Sequence, residues 1–206
     1  MVLDVQTKKP ARRGLAVALL VLAGIGALWV LYVIVSSSFK PVEQSGLAAF
    51  KTGAMAKLEL PKDPAPAPGV AFTDAEGKQR RLADFKGQVV VMNLWADWCA
   101  PCKLELPSLG RLQAVYAAQP LQVVAISVDK VENEDLARRD IALAPPLKLY
   151  RDPAYAMAFG LSPRAEGFPT TVIYDRQGVE RARLSGGADW ASPEARALVE
   201  HLLGEH

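Results

Sequence analysis

Two cysteines, Cys99 and Cys102, are the only ones in this 206-residue sequence, and two residues separate them. At this spacing two thiols can close to a disulfide and reopen by exchange with another disulfide. A disulfide that closes so short a loop adds little stability, which makes a purely structural pair the weaker interpretation. The spacing therefore predicts thiol–disulfide chemistry at Cys99 and Cys102.

Other chemistries fit the sequence less well. A structural zinc site needs four ligands, and the sequence offers no second cysteine pair and only His201 and His206. A c-type haem needs a histidine where Lys103 stands, and the Pro-x-x-x-Thr/Ser-x-x-Cys setting of a peroxidatic cysteine is absent. The net charge of +2 provides no basic surface for nucleic acid. We therefore expect no metal, no nucleic acid and no cofactor other than the cysteine disulfide.

The cysteines lie where a strand is predicted to run into a helix. Residues 88–96 form an almost continuous apolar run, typical of a strand buried on both faces, and a helix is predicted over about 100–118, bent or broken at Pro107. The free N–H groups and the dipole at a helix N-terminus stabilise a thiolate. Cys99 is therefore predicted to be an exposed nucleophile, and Cys102, one turn on, the less exposed resolving thiol.

The sequence after Gly69 alternates predicted strands and helices. These are two short strands around a turn at Glu76-Gly77, a second buried strand over 121–128, a helix within 131–143, a short strand before a helix from Asp152 to Gly160, a hairpin over 169–184 turning at 176–178, and a final helix begun by Ser192. This order predicts an α/β fold with a mixed sheet covered on both faces.

The N-terminal part of the sequence has a different composition. Residues 14–35 carry no charge and are long enough for a helix that crosses a bilayer, so we predict a single transmembrane anchor, with a cleaved signal peptide as the alternative. The basic cluster within 1–13 places that segment in the cytoplasm and the rest of the chain outside. Residues 36–69 are predicted to be a tether, with a short amphipathic helix within 45–58 that rests on the domain and a stiff proline-rich spacer; plain disorder is the alternative. Residues 70–206 are predicted to be the folded domain.

Two longer motifs resemble a known family. NLWADWCAPCKLELPSL (93–109) and GFPTTVIYDRQG (167–178) resemble the thioredoxin superfamily, and the layout of anchor, tether and domain resembles its membrane-anchored TlpA/ResA/CcmG group of bacterial thiol–disulfide interchange proteins. The ending at 186–204, the region around residue 50 and the insert at 129–150 resemble the TlpA branch of that group. The resemblance implies a thioredoxin-like fold, a mixed central sheet flanked by helices, with an N-terminal β-hairpin extension.

The resemblance also implies roles for individual residues. Pro169 matches a cis-proline that faces the active site, and Glu105 matches an acidic residue that helps manage the protons of the two thiols; the alternative for Glu105 is a solvated carboxylate. The buried strand acid of thioredoxin aligns with Asn93, which accepts no proton, so Glu105 is expected to act in its place. Asp97 is a weaker candidate, expected to point to solvent. Substrate contacts are expected from Trp98, Ala100, Pro101, Phe168 and Thr170.

The direction of electron flow is predicted from the residues between the cysteines. Ala100 and Pro101 place no imidazole beside Cys99, so we expect a protein-disulfide reductant rather than a disulfide-forming oxidase. Resemblance to the TlpA branch implies as substrates the cysteines of a copper chaperone or of the copper subunit of cytochrome oxidase, and the wider group implies apocytochrome c haem-site cysteines as the alternative. We expect a periplasmic monomer, anchored in the bacterial inner membrane, with a membrane thiol transporter as electron donor. A non-catalytic interaction domain is the remaining alternative.

Overall fold

The computed structural model describes residues 44–205, together with Leu22, Gly26 and Trp29. The basic segment 1–13, and the anchor predicted at 14–35 apart from those three residues, lie outside the described residues, so both stay predictions. Among the residues that the structure describes, no helix is both long and apolar enough to cross a membrane.

Within residues 44–205, seven strands form one mixed sheet. They are β1 (Phe72–Asp74), β2 (Gln79–Arg80), β3 (Val89–Trp95), β4 (Leu121–Ser127), β5 (Tyr150–Arg151), β6 (Thr170–Tyr174) and β7 (Glu180–Ser185). Their order across the sheet is β2-β1-β5-β4-β3-β6-β7. β4 is parallel to β3 and β5, whereas the other neighbouring pairs are antiparallel. The predicted α/β class, mixed sheet and N-terminal β-hairpin are confirmed.

The central strand β3 positions the cysteines. All seven of its side chains are buried, as the apolar run predicts for a strand covered on both faces. Its register with β4 pairs Val89 with Leu121 and Trp95 with Ser127, so the two parallel strands end at the same edge of the sheet. The loop that follows β3 at this edge carries Cys99.

Four α-helices in the described part of the chain cover the sheet: α1 (Ala100–Val115), α2 (Glu134–Ala142), α3 (Ala156–Gly160) and α4 (Pro193–Gly204). Successive side chains of a strand point to opposite faces, so the core is divided into two clusters. One cluster joins Val91 of β3 to Leu109 of α1 and Leu198 of α4. The other joins Met92 of β3 to Met157 of α3. Both faces of the sheet are therefore covered, as predicted.

Helix α1 continues through Pro107, so of the predicted bend or break the break is wrong, and the bend stays a prediction. Pro107 has no N–H to donate to the carbonyl of Lys103, but the buried face of α1 packs on the sheet and holds the helix together. On that helix Gly110 lies close to another part of the chain. A Cβ atom at Gly110 would lie 2.7 Å from the carbonyl oxygen of Ala144 and 2.9 Å from that of Pro145, so no side chain fits there.

Residues 44–58 pack on the domain, as expected for the first half of the tether, but they belong to the same compact unit. Gln44–Phe50 and Gly53–Met55 are short 3-10 helices in place of the predicted amphipathic helix. Leu47 and Met55 are completely buried in the cluster that also contains α4. Complete burial of such a side chain contributes about 1.5–3 kcal/mol, which makes this segment part of the folded unit.

The proline-rich stretch that follows is extended, as predicted, but it lies along the sheet and is not a free spacer. Glu59 forms a bridge with Arg183 on β7, and Pro66 forms one with Val179 just before β7. The compact unit therefore begins at Glu43 and not at residue 70. The proline pattern predicts the extended conformation, but it contains no information about a backbone partner so distant in the sequence.

Candidate active site

Cys99 and Cys102 are joined by a disulfide where β3 leads into α1. Cys102 is completely buried and Cys99 is 6% exposed. The order of exposure is the predicted one, but Cys99 is nearly buried, whereas it was predicted to be exposed. The reason is that Cys99 belongs to the buried cluster of its face of the sheet, against which Phe168 also packs.

The N-terminus of α1 provides the electrostatic setting of the disulfide. Cys99 is the residue that precedes the first helical turn, and its carbonyl accepts a hydrogen bond from the N–H of Lys103 at 3.2 Å. Ala100 and Pro101, the two residues between the cysteines, are exposed. The free N–H groups and the dipole of the helix favour negative charge on the Cys99 sulfur once the disulfide is reduced.

The loop before β6 carries the proline that the sequence resemblance singles out. The Phe168–Pro169 peptide bond is cis, as the resemblance implies. The Pro169 carbonyl accepts a hydrogen bond from the N–H of Gly186 at 2.8 Å, whereas the N–H and C=O of Phe168 have no backbone partner among residues 44–205. The Phe168 ring lies 5.9 Å from that of Trp98, which is 59% exposed. Phe168 therefore offers free backbone groups to a bound polypeptide beside the cysteines.

Thr170 does not fit its predicted role as a substrate contact. It is only 1% exposed, and its hydroxyl donates to the carbonyl oxygen of Gly167 at 2.7 Å. Thr170 is also the first residue of β6, where it pairs with Leu94 of β3 and Ser185 of β7. Because both sides of Thr170 are occupied by strands, it supports the Phe168–Pro169 loop from below.

Glu105 lies one turn after Cys102 with its carboxylate inside the protein. It is 3% exposed, so the alternative of a solvated carboxylate is wrong. One carboxylate oxygen accepts from the N–H of Ala188 at 3.1 Å and the indole N–H of Trp190 at 3.3 Å, and the other accepts from Asn93 Nδ2 at 2.7 Å. Burial raises the pKa of Glu105 to about 7, against the opposing effect of these hydrogen bonds. Glu105 can therefore bind or release a proton near neutral pH.

Asn93 links Glu105 to the strand behind the proline loop. Its Nδ2 also donates to the hydroxyl of Thr171 at 2.9 Å, and its Oδ1 is buried with no partner among the described residues. Asn93 on β3 and Thr171 on β6 are directly paired across the sheet. A neutral donor thus holds the carboxylate of Glu105 at the place where the resemblance expects an acid.

A pair of carboxyl groups that was not predicted from the sequence lies beside the cysteines. The N–H of Asp97 donates to both carboxylate oxygens of Asp129, at 3.1 and 2.9 Å, and one carboxylate oxygen of Asp97 is buried. The prediction that Asp97 points to solvent is therefore wrong. Burial, and then contact with the Asp97 carboxyl group, raise the pKa of Asp129 to about 6. The sequence does contain a signal for this pair, because Asp97 closely follows β3 and Asp129 closely follows β4. Since neighbouring parallel strands end at the same edge of a sheet, the two acids are brought together there.

Within residues 44–205, no group of three or more His, Cys, Asp or Glu side chains is arranged to hold a metal ion. The expected absence of a metal and of a cofactor stays a prediction.

Comparisons with known proteins agree with this geometry. The model of the AhpC/TSA family matches residues 62–183. The thiol-disulfide oxidoreductase ResA of Geobacillus thermodenitrificans is 32% identical over 122 residues, which cover 58% of this chain and 67% of ResA. The thioredoxin-like protein YneN of Bacillus subtilis is 33% identical over 117 residues, 55% of this chain and 65% of YneN. A thiol:disulfide interchange protein DsbE from Chlorobium tepidum superimposes with a TM-score of 0.59 at 28% identity, over 71% of this chain and 100% of DsbE.

These likenesses confirm the thioredoxin-like fold and the redox character of the cysteine pair. The family match spans more than half of the chain and includes both cysteines and Pro169. The chain therefore belongs to the AhpC/TSA family, as a thioredoxin-like thiol–disulfide oxidoreductase of the ResA and DsbE type.

Proposed function

We propose that this protein is a monomeric, membrane-anchored reductant of protein disulfides on the periplasmic side of a bacterial inner membrane. The observation that carries the proposal is the Cys99–Cys102 disulfide at the N-terminus of α1, with a buried titratable carboxyl group, Glu105, one turn further along. This arrangement supports Cys99 as the nucleophile, Cys102 as the resolving thiol and Glu105 as a proton acceptor.

The reaction starts from the dithiol form of the protein. The Cys99 thiolate attacks one sulfur of the substrate disulfide, whose S–S bond breaks; one substrate sulfur leaves as a thiolate and takes up a proton. The Cys102 thiolate then attacks the Cys99 sulfur of the mixed disulfide, which releases the second substrate thiol and closes the Cys99–Cys102 disulfide. Two electrons thus pass from the protein to the substrate.

Glu105 is the proposed acceptor of the Cys102 proton. Cys102 is completely buried, so its thiol cannot lose a proton directly to bulk water. The pKa of Glu105, raised to about 7 mainly by burial, lets the carboxylate take up this proton near neutral pH and release it later. Asn93 and Trp190 hold the carboxylate in position for both steps.

The direction of flow and the location rest on sequence features. Ala100 and Pro101 put no imidazole beside Cys99, which supports a reductant. A reductant in an oxidising compartment must be recharged, and we propose a membrane thiol transporter that carries electrons from the cytoplasm. The uncharged run 14–35 would keep the protein beside that donor.

The proposed substrates are cysteines of copper-centre assembly in cytochrome oxidase, on a copper chaperone or on the copper subunit itself. The support is the likeness of two segments to the TlpA branch, and both contribute to the site region. The segment at 186–204 supplies the Ala188 and Trp190 hydrogen bonds to Glu105, and the insert at 129–150 begins with Asp129. Apocytochrome c haem-site cysteines, implied by resemblance to the wider group, are the alternative.

The first test is the midpoint potential of the cysteine pair, followed by the fluorescence of Trp95 and Trp98 in dithiothreitol or glutathione buffers. A value at or below about −200 mV, in the range of thioredoxin and glutaredoxins, supports a reductant. A value near about −120 mV, as in a strong oxidase, would overturn the proposed direction and indicate disulfide formation instead.

The second test compares substrates in the presence of reduced protein. The proposal expects an oxidised copper-chaperone or copper-subunit domain to be reduced faster than an oxidised apocytochrome c peptide, and the reverse order selects the alternative. The Cys99→Ser variant should reduce none of them, and Cys102→Ser should stop at the mixed disulfide. Reduction by Cys99→Ser at the wild-type rate would contradict the mechanism.

A further inference from the structure

Four aromatic side chains form a continuous row of ring contacts that begins beside the nucleophile. The ring centroids of Trp98 and Phe168 are 5.9 Å apart, those of Phe168 and Tyr155 are 6.0 Å apart, and those of Tyr155 and Phe159 are 6.5 Å apart. The guanidinium of Arg164 lies 6.0 Å from the centroid of the Phe159 ring, within the range of a cation–π contact. Trp98, Phe168, Tyr155 and Phe159 are called the aromatic row below.

The two ends of the aromatic row are exposed, and its two inner members are half-buried. Trp98 is 59% exposed and Phe159 is 62% exposed, whereas Phe168 and Tyr155 pack against the core cluster beneath them. Several large apolar side chains are strongly exposed between residues 46 and 205, and two of them are aromatic, Trp98 and Phe159. Exposed aromatic rings on a packed base are typical of surfaces that bind a partner.

The backbone is strained at the position that joins the two halves of the row. Tyr155 has φ +58° and is the one non-glycine residue with positive φ among those that the structure describes. This left-handed conformation is strained for a residue other than glycine. The positive φ of Tyr155 also explains why α3 begins at Ala156, whereas the helix was predicted to begin at Asp152. The Asp152 carboxylate still accepts a hydrogen bond from the N–H of Met157, at 2.7 Å. The strained turn places the Tyr155 ring between those of Phe168 and Phe159.

We propose that the aromatic row is a docking track for the extended polypeptide next to the reacting cysteine of the substrate. The three steps between rings span at most about 18 Å, and an extended chain advances about 3.3 Å per residue. The row therefore selects substrates that carry an aromatic or large aliphatic side chain about five residues from the cysteine. This inference rests on the proposed function, since it concerns substrates of the same cysteine pair.

A polypeptide is the occupant that fits, because the row is continuous with the site of exchange. Trp98 immediately precedes the nucleophile, and the N–H and C=O of Phe168, which have no backbone partner in the described part of the chain, can pair with an added strand. From there the row leads away from the cysteines to Phe159. Each half of oxidised glutathione is a tripeptide, about 10 Å long when extended, whereas the row spans up to about 18 Å, so a longer chain is needed to contact its far end.

The test uses the full chain in detergent micelles and two pairs of peptides, each peptide carrying one cysteine in mixed disulfide with a coloured thiol. Within a pair the peptides differ only in tryptophan or serine at the fifth residue from the cysteine, which lies N-terminal to the cysteine in one pair and C-terminal to it in the other. We expect the reduced wild type to release the coloured thiol from the tryptophan peptide about tenfold faster, the factor that corresponds to 1.4 kcal/mol of docking free energy. Phe159→Ala should reduce this ratio to below about threefold, since a truncated ring loses most of the contact.

Leu143→Ala is the matched control, because Leu143 is 75% exposed and lies outside the aromatic row. It should leave the ratio between the two peptides at its wild-type value. A wild-type ratio near one in both chain directions, or a ratio that Phe159→Ala leaves unchanged, would overturn the docking track.

A binding measurement separates this inference from the proposed function. The same peptides, with serine in place of cysteine and a fluorescent label, are titrated with the oxidised protein and followed by anisotropy. If the wild type binds the tryptophan peptide more tightly than the serine peptide, and Phe159→Ala removes this difference, the track is supported even if the protein proves not to be a reductant. Equal binding of the two peptides by the wild type contradicts the track even if exchange is fast.

Discussion

Replacing Glu105 by glutamine measures how much the ionisable carboxyl group of this buried residue lowers the free energy of unfolding. Glu105 is 3% exposed, and burial is the main cause that raises its pKa to about 7 from an ordinary value of 4.5. A carboxyl group with a higher pKa in the folded than in the unfolded chain binds its proton more tightly when folded. The folded state therefore loses stability as the pH rises from about 4.5 to about 7, and the loss is complete above that range.

The size of this effect follows from the shift in the pKa of Glu105. A difference of about 2.5 pKa units at 1.36 kcal/mol per unit gives about 3 kcal/mol. Glu105→Gln removes the titration, and the amide of Asn93 can rotate to present its unpartnered Oδ1 to the new NH₂ group. The free energy of unfolding of the variant, measured relative to wild type, should thus rise by about 3 kcal/mol between about pH 4.5 and pH 8.

The assay is urea unfolding of oxidised residues 43–206 at four pH values across this range. Glu132→Gln is the control, because the Glu132 side chain is 68% exposed and should show no such trend. A difference between Glu105→Gln and wild type that stays constant within about 0.5 kcal/mol over the whole range would refute the reasoning, because Glu105 would then titrate normally in the folded protein.

Three further substitutions test the fold and the Asp97–Asp129 carboxyl pair, each by urea unfolding. Leu47→Ala should lower the free energy of unfolding by about 2–5 kcal/mol because Leu47 is completely buried, whereas Leu104→Ala, at an 82% exposed position, should change it by less than about 0.5 kcal/mol. Gly110→Ala should lower it by about 1–3 kcal/mol through the clash with two carbonyl oxygens, while Gly204→Ala, with open space around it, should not lower it. The wild type should lose stability as the pH rises from about 4 to about 6, because the pKa of Asp129 is raised to about 6. Asp129→Asn should remove this loss.

The strands and the redox pair could be predicted because their signals are local. The valines of β3, the turn glycines at Gly77 and Gly178, and the CxxC spacing each determine structure within a few residues. The positive φ of both glycines is one that other residues adopt only with strain, so the two hairpins were predicted in the right places.

The features that sequence analysis missed depend on contacts between distant parts of the chain. Nothing near Leu47 indicates that it packs against α4, and nothing near Glu105 indicates that Ala188 and Trp190 bury it. The pairing of Asp97 with Asp129 likewise requires β3 and β4 to be neighbours in register. Local propensity does not determine such contacts, which explains why the start of the compact unit and the surroundings of Asp97 were predicted wrongly.

The stretch that runs beside β7 has a consequence for how the chain can be shortened. Without it, β7 would be an open strand edge, and open edges recruit strands from other molecules. Backbone hydrogen bonds occupy that edge: Glu59 and Arg183 each donate to the other, and the N–H of Glu180 donates to the carbonyl of Ala65. The opposite edge, β2, has only two residues. A fragment cut at residue 70 would uncover the edge and self-associate through it. A fragment that starts at residue 43 would keep the edge closed and stay dispersed.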